Sequence, residues 1–227
     1  MSFKTKRVFL IITNKLSKAM GEPHHLKIAR VYDNIAGVYQ DIINQPTDYL
    51  EEFTSRIPEK ARILDAGCGI GTDAGYLCQM GHRVSGIDLS GKMLDIARQN
   101  HPGVEFFQQD LRHPDFHNQT FDGILAAFSL IHLRKDDVIP TLKTYNSLLN
   151  TSGLLFLVLQ SGPSQEMFLT EPFKPDETTF LNIISEDEAQ HILQRAGFKT
   201  ILTRRRRPDR NHKEFEFIKL FLLARKI

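Results

Sequence analysis

The sequence predicts one α/β domain with a doubly wound, mostly parallel, seven-stranded sheet, helices on both faces and an antiparallel last strand. From residue 61 onward, short apolar runs alternate with helical patterns through short links, which is typical of such a sheet. The run 121–128 is almost entirely apolar, as parallel strands covered on both faces are. With 227 residues, 41% of them hydrophobic, the chain is long enough for one sizeable core and short for two.

Two helical stretches precede this alternation. Apolar residues recur at helical spacing over residues 8–20 and again over roughly 27–57. His24 and His25 lie in the turn between the two stretches, and we expect them to be solvated turn residues rather than metal ligands. We interpret residues 1–30 as a lid or an oligomer contact in preference to a helix on a membrane surface, with monomer and homodimer both open.

The predicted strands of the alternating part cover residues 61–66, 83–88, 104–107, 121–128, 154–159, 198–206 and 215–224. Before the last two strands, the segment 161–184 breaks the alternation with three prolines and no clear period. We interpret it as an insert that covers the substrate as a lid. A Ser-x-x-Glu capping box from Ser185 to Glu188 then begins a helix that ends at Gly197.

Charge and cysteine content argue against several classes of protein. The 29 basic and 27 acidic residues nearly balance, so neither a nucleic-acid partner nor an acidic partner is expected. Cys68 and Cys78 make no disulfide framework and no metal cluster, which favours a reducing, cytoplasmic setting without a bound metal. The apolar run at 8–12 is too short for a secretion signal or for a membrane-spanning helix of about 20 residues.

The most informative feature is a Gly-x-Gly-x-Gly turn that starts at Gly67, between the first strand and its helix. This architecture binds nucleotide-like ligands there, and glycines let backbone N–H groups approach them closely. Asp88 ends the second strand, where a carboxylate accepts hydrogen bonds from ribose hydroxyls or, alternatively, complements the dipole of the next helix. Asp110 follows the third strand, where it meets an adenine amino group or merely forms a surface turn.

Two classes of ligand share this layout, namely dinucleotides and S-adenosylmethionine. Dinucleotide sites usually show Gly-x-Gly-x-x-Gly, whereas here the third glycine comes one residue earlier and an acid, Asp65, precedes the first glycine by two residues. A dehydrogenase would usually need a second domain, and a P-loop is excluded because no Gly-Lys-Ser/Thr follows the turn. The spacing therefore favours S-adenosylmethionine.

The run ILDAGCGIG at 63–71 resembles the first signature of the class I S-adenosylmethionine-dependent methyltransferases of the small-molecule type. Other signatures of that family resemble residues 32–36, 84–94, 109–111, 121–133, 153–155 and 196–198. The resemblance covers about residues 31–227. It implies that S-adenosylmethionine is bound by Tyr32, Asp65, Gly67, Cys68, Gly69, Asp88, Leu89, Met93, Asp110, Leu111 and Phe128.

The resemblance also implies an acceptor pocket between the N-terminal helices, the turn at 128–132 and the insert at 161–184. His132, in that turn, acts as a general base or simply orders the next helix. The turn lacks the Asn/Asp-Pro-Pro-Tyr/Phe of enzymes that methylate adenine or glutamine, and neither cysteine is placed to attack cytosine. The resulting prediction is direct in-line methyl transfer to a small molecule. An RNA or protein methyltransferase and a non-catalytic binding module are the alternatives.

Four consecutive arginines at 204–207 raise the question of nucleic acid again. We interpret them as the charged end of an edge strand, where charge blocks aggregation between sheets. Asp209, Glu214 and Glu216 are close enough in sequence to pair with them. At the carboxyl end of a strand, the arginines also lie where they can rim the ligand pocket.

Overall fold

The computed structural model describes residues 22–116, 120–209 and 214–227. Its helices are α1 (His24–Ile42), α2 (Leu50–Thr54), α3 (Thr72–Gln79), α4 (Gly91–Asn100), α5 (Lys135–Leu148) and α6 (Glu186–Arg195). Its strands are β1 (Arg62–Ala66), β2 (Arg83–Asp88), β3 (Glu105–Gln108), β4 (Phe121–Ala127), β5 (Leu149–Ser161), β6 (Gln165–Glu171), β7 (Lys174–Ile183), β8 (Phe198–Arg206) and β9 (Ile218–Lys226). The predicted helix over residues 8–20 lies outside the described residues.

Seven of the described strands form one sheet in the order β3-β2-β1-β4-β5-β9-β8. The pairs from β3 to β5 are parallel, and β9 is antiparallel to both β5 and β8. The predicted doubly wound, mostly parallel sheet with an antiparallel last strand is therefore confirmed. Because β1 lies between β2 and β4, the strand order reverses there, and a ligand crevice opens beyond the carboxyl ends of β1 and β4.

The centre of the sheet is buried on both faces. Residues 153–160 of β5 are buried without interruption, which is why the run 154–159 is uniformly apolar in sequence. Helices α5 and α6 pack against one face through Leu142, Tyr145 and Leu193. Helices α2, α3 and α4 pack against the other face, with Phe53 and Leu77 fully buried. These two layers fix the strand ends that carry the site.

The helical stretch predicted over 27–57 is two helices with a break between them. Helix α1 ends at Ile42 and α2 begins at Leu50, with Pro46 in the link and Tyr49 in the left-handed region at φ 61°. Proline lacks an N–H group and disfavours helical backbone at the residue before it, so one continuous helix cannot cross this link. The break leaves residues 43–48 free to line a cavity beside the sheet.

His24 and His25 are not solvated turn residues, and this prediction was wrong. They form the first turn of α1 after Pro23, and both are half-buried. His24 Nε2 donates to the backbone carbonyl of His132 at 2.9 Å, and its ring meets Phe180 edge to face. The contacts of His24 with the turn after β4 and with β7, which the local pattern does not contain, shield its side chain from water in part.

The insert at 161–184 is a β-hairpin formed by β6 and β7. Its strands pair in an antiparallel register that places Phe168 opposite Phe180. The three prolines are compatible with the hairpin because Pro163 precedes β6, Pro172 lies in the turn, and Pro175 lies at the start of β7 where the register is irregular, so that no ladder hydrogen bond is lost. The last five residues of β7 are all buried, so the strand shows no alternation in sequence.

Candidate active site

The glycine turn brings backbone N–H groups to the carboxyl end of β1. Gly67, Gly69 and Gly71 all have positive φ, at 82°, 53° and 80°, which favours glycine at each position. A Cβ on Gly67 would lie 2.3 Å from the Cβ of Ser129, so this position also needs glycine for close packing. A Cβ on Gly69 would meet nothing within 4 Å, because Gly69 faces an open cavity.

Asp88 holds the turn from the neighbouring strand. Its Oδ2 accepts from the Gly69 N–H at 2.9 Å, and its Oδ1 accepts from the Ser90 N–H at 2.8 Å. Burial raises the pKa of the Asp88 carboxyl, and these backbone hydrogen bonds partly offset that rise. The cap of α4 is Ser90, whose hydroxyl accepts from the Met93 N–H at 3.2 Å. Asp88 is therefore not the capping residue of α4, which leaves its carboxylate available to a ligand.

Asp65 lies at the other side of the turn and is buried, with 2% of its surface exposed. Its Oδ2 has no hydrogen-bond partner among the described residues. Burial, then the carboxylates of Asp73 and Asp88, raise its pKa well above the usual range, and the Ala74 N–H group lowers it only in part. A buried carboxyl without a partner is costly, and a ligand with an ammonium group would supply the missing donor. S-adenosylmethionine carries such a group on its methionine part.

Two cavities share the glycine turn. The smaller, of about 110 Å³, lies among Asp88, Leu89, Met93, Asp110 and Leu111. The larger, of about 470 Å³, extends past Asp65 towards β5, β9 and the β6–β7 hairpin. The residues that line both are Tyr32, Tyr39, Gly67, Gly69, Ala127 and Phe128.

The predicted cofactor residues converge on these cavities. Tyr32 and Phe128 line both cavities, and Phe128 has a positive φ of 54°, a strained conformation at the end of β4. Met93 is fully buried and packs with Ile35 of α1. Cys68 lines the larger cavity, and burial raises the pKa of its thiol well above the usual range, so the thiol is protonated and unreactive.

Asp110 lines the smaller cavity but is held by a residue that the sequence analysis did not single out. The guanidinium of Arg112 donates to both carboxylate oxygens, with distances of 3.0 Å from Nε and 2.6 Å from Nη2. Burial raises the pKa of Asp110, but the hydrogen bonds from Arg112 outweigh it and bring the pKa below the usual value. Asp110 is thus ionised in an ion pair, and any adenine contact must share its oxygens with Arg112.

His132 is buried, and both of its ring nitrogens are hydrogen-bonded. A backbone carbonyl only accepts, so Nδ1 carries the proton and donates to the Phe180 oxygen at 2.9 Å. Nε2 is then the acceptor for the hydroxyl of Tyr32 at 2.7 Å. Burial lowers the pKa of His132 to about 4, the Phe180 carbonyl raises it in part, and His24 lowers it further. Neutral His132 therefore joins α1 and β7 to the turn after β4.

Three of the four arginines at 204–207 form ion pairs. Arg204 lies 3.0 Å from Glu52, Arg205 pairs with Glu186, and Arg206 binds Glu214 at 3.0 Å. Arg206 also lies 2.7 Å from Asp48 and lines the larger cavity. The predicted pairing with Glu214 is confirmed, whereas the other partners come from distant segments.

The described part of the chain contains no helix long and apolar enough to span a membrane. Within residues 22–116, 120–209 and 214–227, no three His, Cys, Asp or Glu side chains converge as metal ligands would.

The model of the methyltransferase-domain family matches residues 63–153, which run from β1 to the middle of β5. A Bacillus subtilis (strain 168) protein, YqeM, which is named as a methyltransferase, is 36% identical over 156 residues, covering 65% of this chain and 61% of the relative. The ubiquinone biosynthesis O-methyltransferase of Methylocella silvestris is 30% identical over 110 residues, covering 47% of this chain and 42% of the relative. This chain thus matches less than two thirds of either relative.

The fold recurs in a solved structure of an S-adenosylmethionine-dependent methyltransferase from Methanosarcina mazei. The two chains superpose with a TM-score of 0.70 at 17% identity, over 81% of this chain and 99% of the other. The family match covers β1, β2 and β3, whose ends carry Gly67, Asp88 and Asp110. Residues 63–153 therefore match a methyltransferase domain, and the chain has the fold of a solved S-adenosylmethionine-dependent methyltransferase.

Proposed function

We propose that this chain transfers the methyl group of S-adenosylmethionine directly, in line, to a small-molecule acceptor. The observation that carries the proposal is the meeting of two cavities at Gly67 and Gly69. The smaller has the apolar walls that an adenosine needs, and the larger leaves room beside the methionine part for an acceptor. The name of the Methylocella relative supports a small acceptor.

Three carboxylates would hold the polar parts of the cofactor. The Asp88 carboxylate would accept from the ribose hydroxyls, and Asp65 would accept from the ammonium group. Gly69 would let the cofactor approach the backbone closely because it has no Cβ, while the N–H groups of Gly67 and Cys68 are held by the Ile87 carbonyl and that of Gly69 by Asp88. Asp110 would contact the adenine amino group while it keeps Arg112, because each carboxylate oxygen accepts more than one hydrogen bond.

Apolar side chains would enclose the adenosine part. Leu89, Met93 and Leu111 line the smaller cavity, and Phe128 and Tyr32 lie between the two cavities. When bound, S-adenosylmethionine supplies a methyl group on a sulfonium, which is an excellent leaving group. The task left to the protein is to hold an acceptor in line in a dry pocket, which can lower a barrier by about 7–11 kcal/mol.

Helix α1 and the β6–β7 hairpin close the larger cavity on the side away from the sheet. Tyr39 and Phe173 meet edge to face with their ring centroids 5.3 Å apart. Asn34 donates to Glu177 at 2.7 Å and joins the helix to the hairpin at the surface. These contacts support the interpretation of the insert as a substrate lid, formed here by a hairpin.

A methyl group at Gly69 tests the proposed function. Gly69→Ala places a Cβ in the open cavity, and we expect S-adenosylhomocysteine to bind about tenfold more weakly or worse, a loss of at least about 1.4 kcal/mol. With S-adenosylmethionine labelled with carbon-13 in its methyl group and a small-molecule extract of the source cells, the unchanged protein should label a small molecule. The Gly69→Ala variant should not. Calorimetry and mass spectrometry measure the two effects.

Gly81→Ala is the matched control for the Gly69 variant. Gly81 also has a positive φ, 91°, and open space around its missing Cβ, but it lies outside both cavities. Both variants should lose roughly 1–2 kcal/mol of stability from the left-handed backbone, and only Gly69→Ala should lose the ligand. Binding of NAD in place of S-adenosylhomocysteine would refute the cofactor. Binding without a labelled product would favour the non-catalytic binding module.

The rival nucleic-acid acceptor leads to a separate prediction. If the arginines 204–207 bound a phosphate backbone, the logarithm of the affinity should fall with the logarithm of salt concentration at a slope of about −3 to −4. Because three of the four already pair with carboxylates, we expect negligible binding of a fluorescent 20-nucleotide RNA at physiological salt. Fluorescence anisotropy over a salt series measures both quantities. Tight RNA binding with the steep slope would contradict this prediction and would favour a nucleic-acid acceptor.

A further inference from the structure

Glu171 is a buried acid at the wall of the larger cavity. It is the last residue of β6, at the tip of the hairpin, and 1% of its surface is exposed. It lines the same cavity as Asp65, Gly67 and Phe128, which belong to the proposed cofactor site. Glu171 lies in the insert that the sequence predicts as a lid, but no feature of the sequence distinguishes this carboxyl from the other acids of the insert.

One oxygen of Glu171 has no hydrogen-bond partner in the described structure. Its Oε1 accepts a long hydrogen bond of 3.5 Å from the Phe173 N–H, and its Oε2 accepts none. Other acids of the hairpin are engaged at the surface. Glu166 accepts from the Lys135 N–H at 2.7 Å, and Glu177 accepts from Asn34. Glu171 thus differs from them in being buried without a cation, on the wall of the larger cavity.

The buried cation Lys219, which lines the same cavity, is already satisfied. Lys219 donates from Nζ to the Gln160 side chain at 3.1 Å and to the backbone carbonyls of Phe215 and Phe217. Glu214 lies 3.4 Å from the same Nζ. The ammonium of Lys219 therefore uses its three donors on other groups and does not neutralise Glu171.

The charge state of Glu171 follows from this setting. Burial raises the pKa of Glu171 to about 7, and the hydrogen bond from Phe173 offsets only part of that rise. A carboxyl that titrates near neutral pH is well matched to proton transfer. The titratable groups that line the same cavity from the other elements are Tyr32 and Tyr39 of α1, Asp48 before α2, Asp65 of β1, Cys68, Asp73 of α3, Arg206 of β8, Asp209, Glu214 and Lys219 of β9.

We propose that Glu171 is the general base that removes the proton from the acceptor during methyl transfer. The inference rests on the proposed function. The acceptor O–H bond breaks and its proton passes to Glu171 Oε2, while the acceptor oxygen forms a bond to the methyl carbon. The carbon–sulfur bond breaks, and S-adenosylhomocysteine leaves with the electron pair on sulfur. Glu171 then releases its proton to solvent.

The same geometry suits a weakly acidic hydroxyl, phenolic or enolic, and not a carboxylate. A carboxylate acceptor is already ionised at neutral pH and needs no base. Ionised Glu171 would also repel it inside a cavity of low dielectric constant. A phenol or an enol keeps its proton at neutral pH until a base removes it, which is the task that Glu171 can perform.

Three acceptor probes test the inference with the full-length chain and S-adenosylmethionine. Catechol and 2,4-pentanedione carry a phenolic and an enolic hydroxyl, and benzoate carries a carboxylate. We expect methylation of at least one of the first two and not of benzoate, at a rate that rises with pH through about 7. Glu171→Gln should lower this rate by about 10²- to 10⁴-fold and remove the inflection, while the affinity for S-adenosylhomocysteine stays unchanged.

Asp176→Asn is the matched control, because it removes an exposed carboxylate from the same hairpin and should leave rate and pH profile as they are. The pH profile of the unchanged protein tests the base even if the Glu171→Gln variant folds poorly. Three results would overturn the inference. They are methylation of benzoate, a Glu171→Gln variant that keeps the full rate and the same pH profile, and no methylation of either hydroxyl probe. Each of these leaves cofactor binding intact, whereas failure to bind S-adenosylhomocysteine overturns the proposed function itself.

Discussion

Replacing Asp88 by alanine is expected to weaken the binding of S-adenosylhomocysteine by roughly 2–4 kcal/mol, or about 30- to 1,000-fold. The carboxylate would make charge-assisted hydrogen bonds to two ribose hydroxyls, and these are stronger than hydrogen bonds between neutral groups. Its removal also frees the Gly69 N–H, which Asp88 now holds at 2.9 Å, so the glycine turn loses an anchor. Both effects act in the same direction on affinity.

Calorimetry at neutral pH measures this loss. Asp95→Ala is the matched control, because Asp95 is an exposed acid on α4 that contacts only Arg98 at 3.3 Å, and its replacement should leave the affinity unchanged. Thermal unfolding of both variants separates a local effect from a loss of the fold. If Asp88→Ala binds as tightly as the unchanged chain, the ribose partner lies elsewhere in the crevice.

The elements of the fold that can be predicted are those whose own residues show a clear hydrophobic pattern. The strands β1, β4 and β5 are covered on both faces, so their apolar runs mark them without knowledge of their neighbours. The β6–β7 hairpin lacks such a signal. The exposed half of β7 precedes a half that is buried against α1 and the turn after β4, and that burial exists only once the domain is assembled.

The same distinction separates the site residues. Gly67, Gly69 and Asp88 follow directly from strand ends that the sequence marks, and the structure brings them together. Glu171 could not be selected from the sequence, because several acids occur in the insert and only the folded hairpin shows which one is buried. Arg112, the partner of Asp110, is only two residues away in sequence. An aspartate followed two residues later by an arginine is a local pattern from which this ion pair could have been predicted.

His132 should make the stability of the protein depend on pH in a specific window. Its pKa is about 4 in the folded protein and 6.5 in the unfolded chain, so the unfolded state binds more protons between these values. The stabilisation is complete above pH 6.5 and is lost as the pH falls towards 4. A difference of this size corresponds to about 3 kcal/mol in the free energy of unfolding.

The comparison with His132→Asn isolates this contribution. The amide nitrogen of asparagine can still donate to the Phe180 carbonyl, as His132 Nδ1 does at 2.9 Å, but the side chain does not titrate. We expect the variant to be less stable than the unchanged chain at pH 7, because Tyr32 loses its acceptor, and the difference to shrink by about 3 kcal/mol by pH 4. Urea unfolding at several pH values measures it, and contributions from Asp65 and Glu171 cancel because both proteins carry them. A difference that stays constant from pH 7 to 4 would show that His132 is protonated as easily in the folded chain as in the unfolded one, which its buried position between Tyr32 and Phe180 argues against.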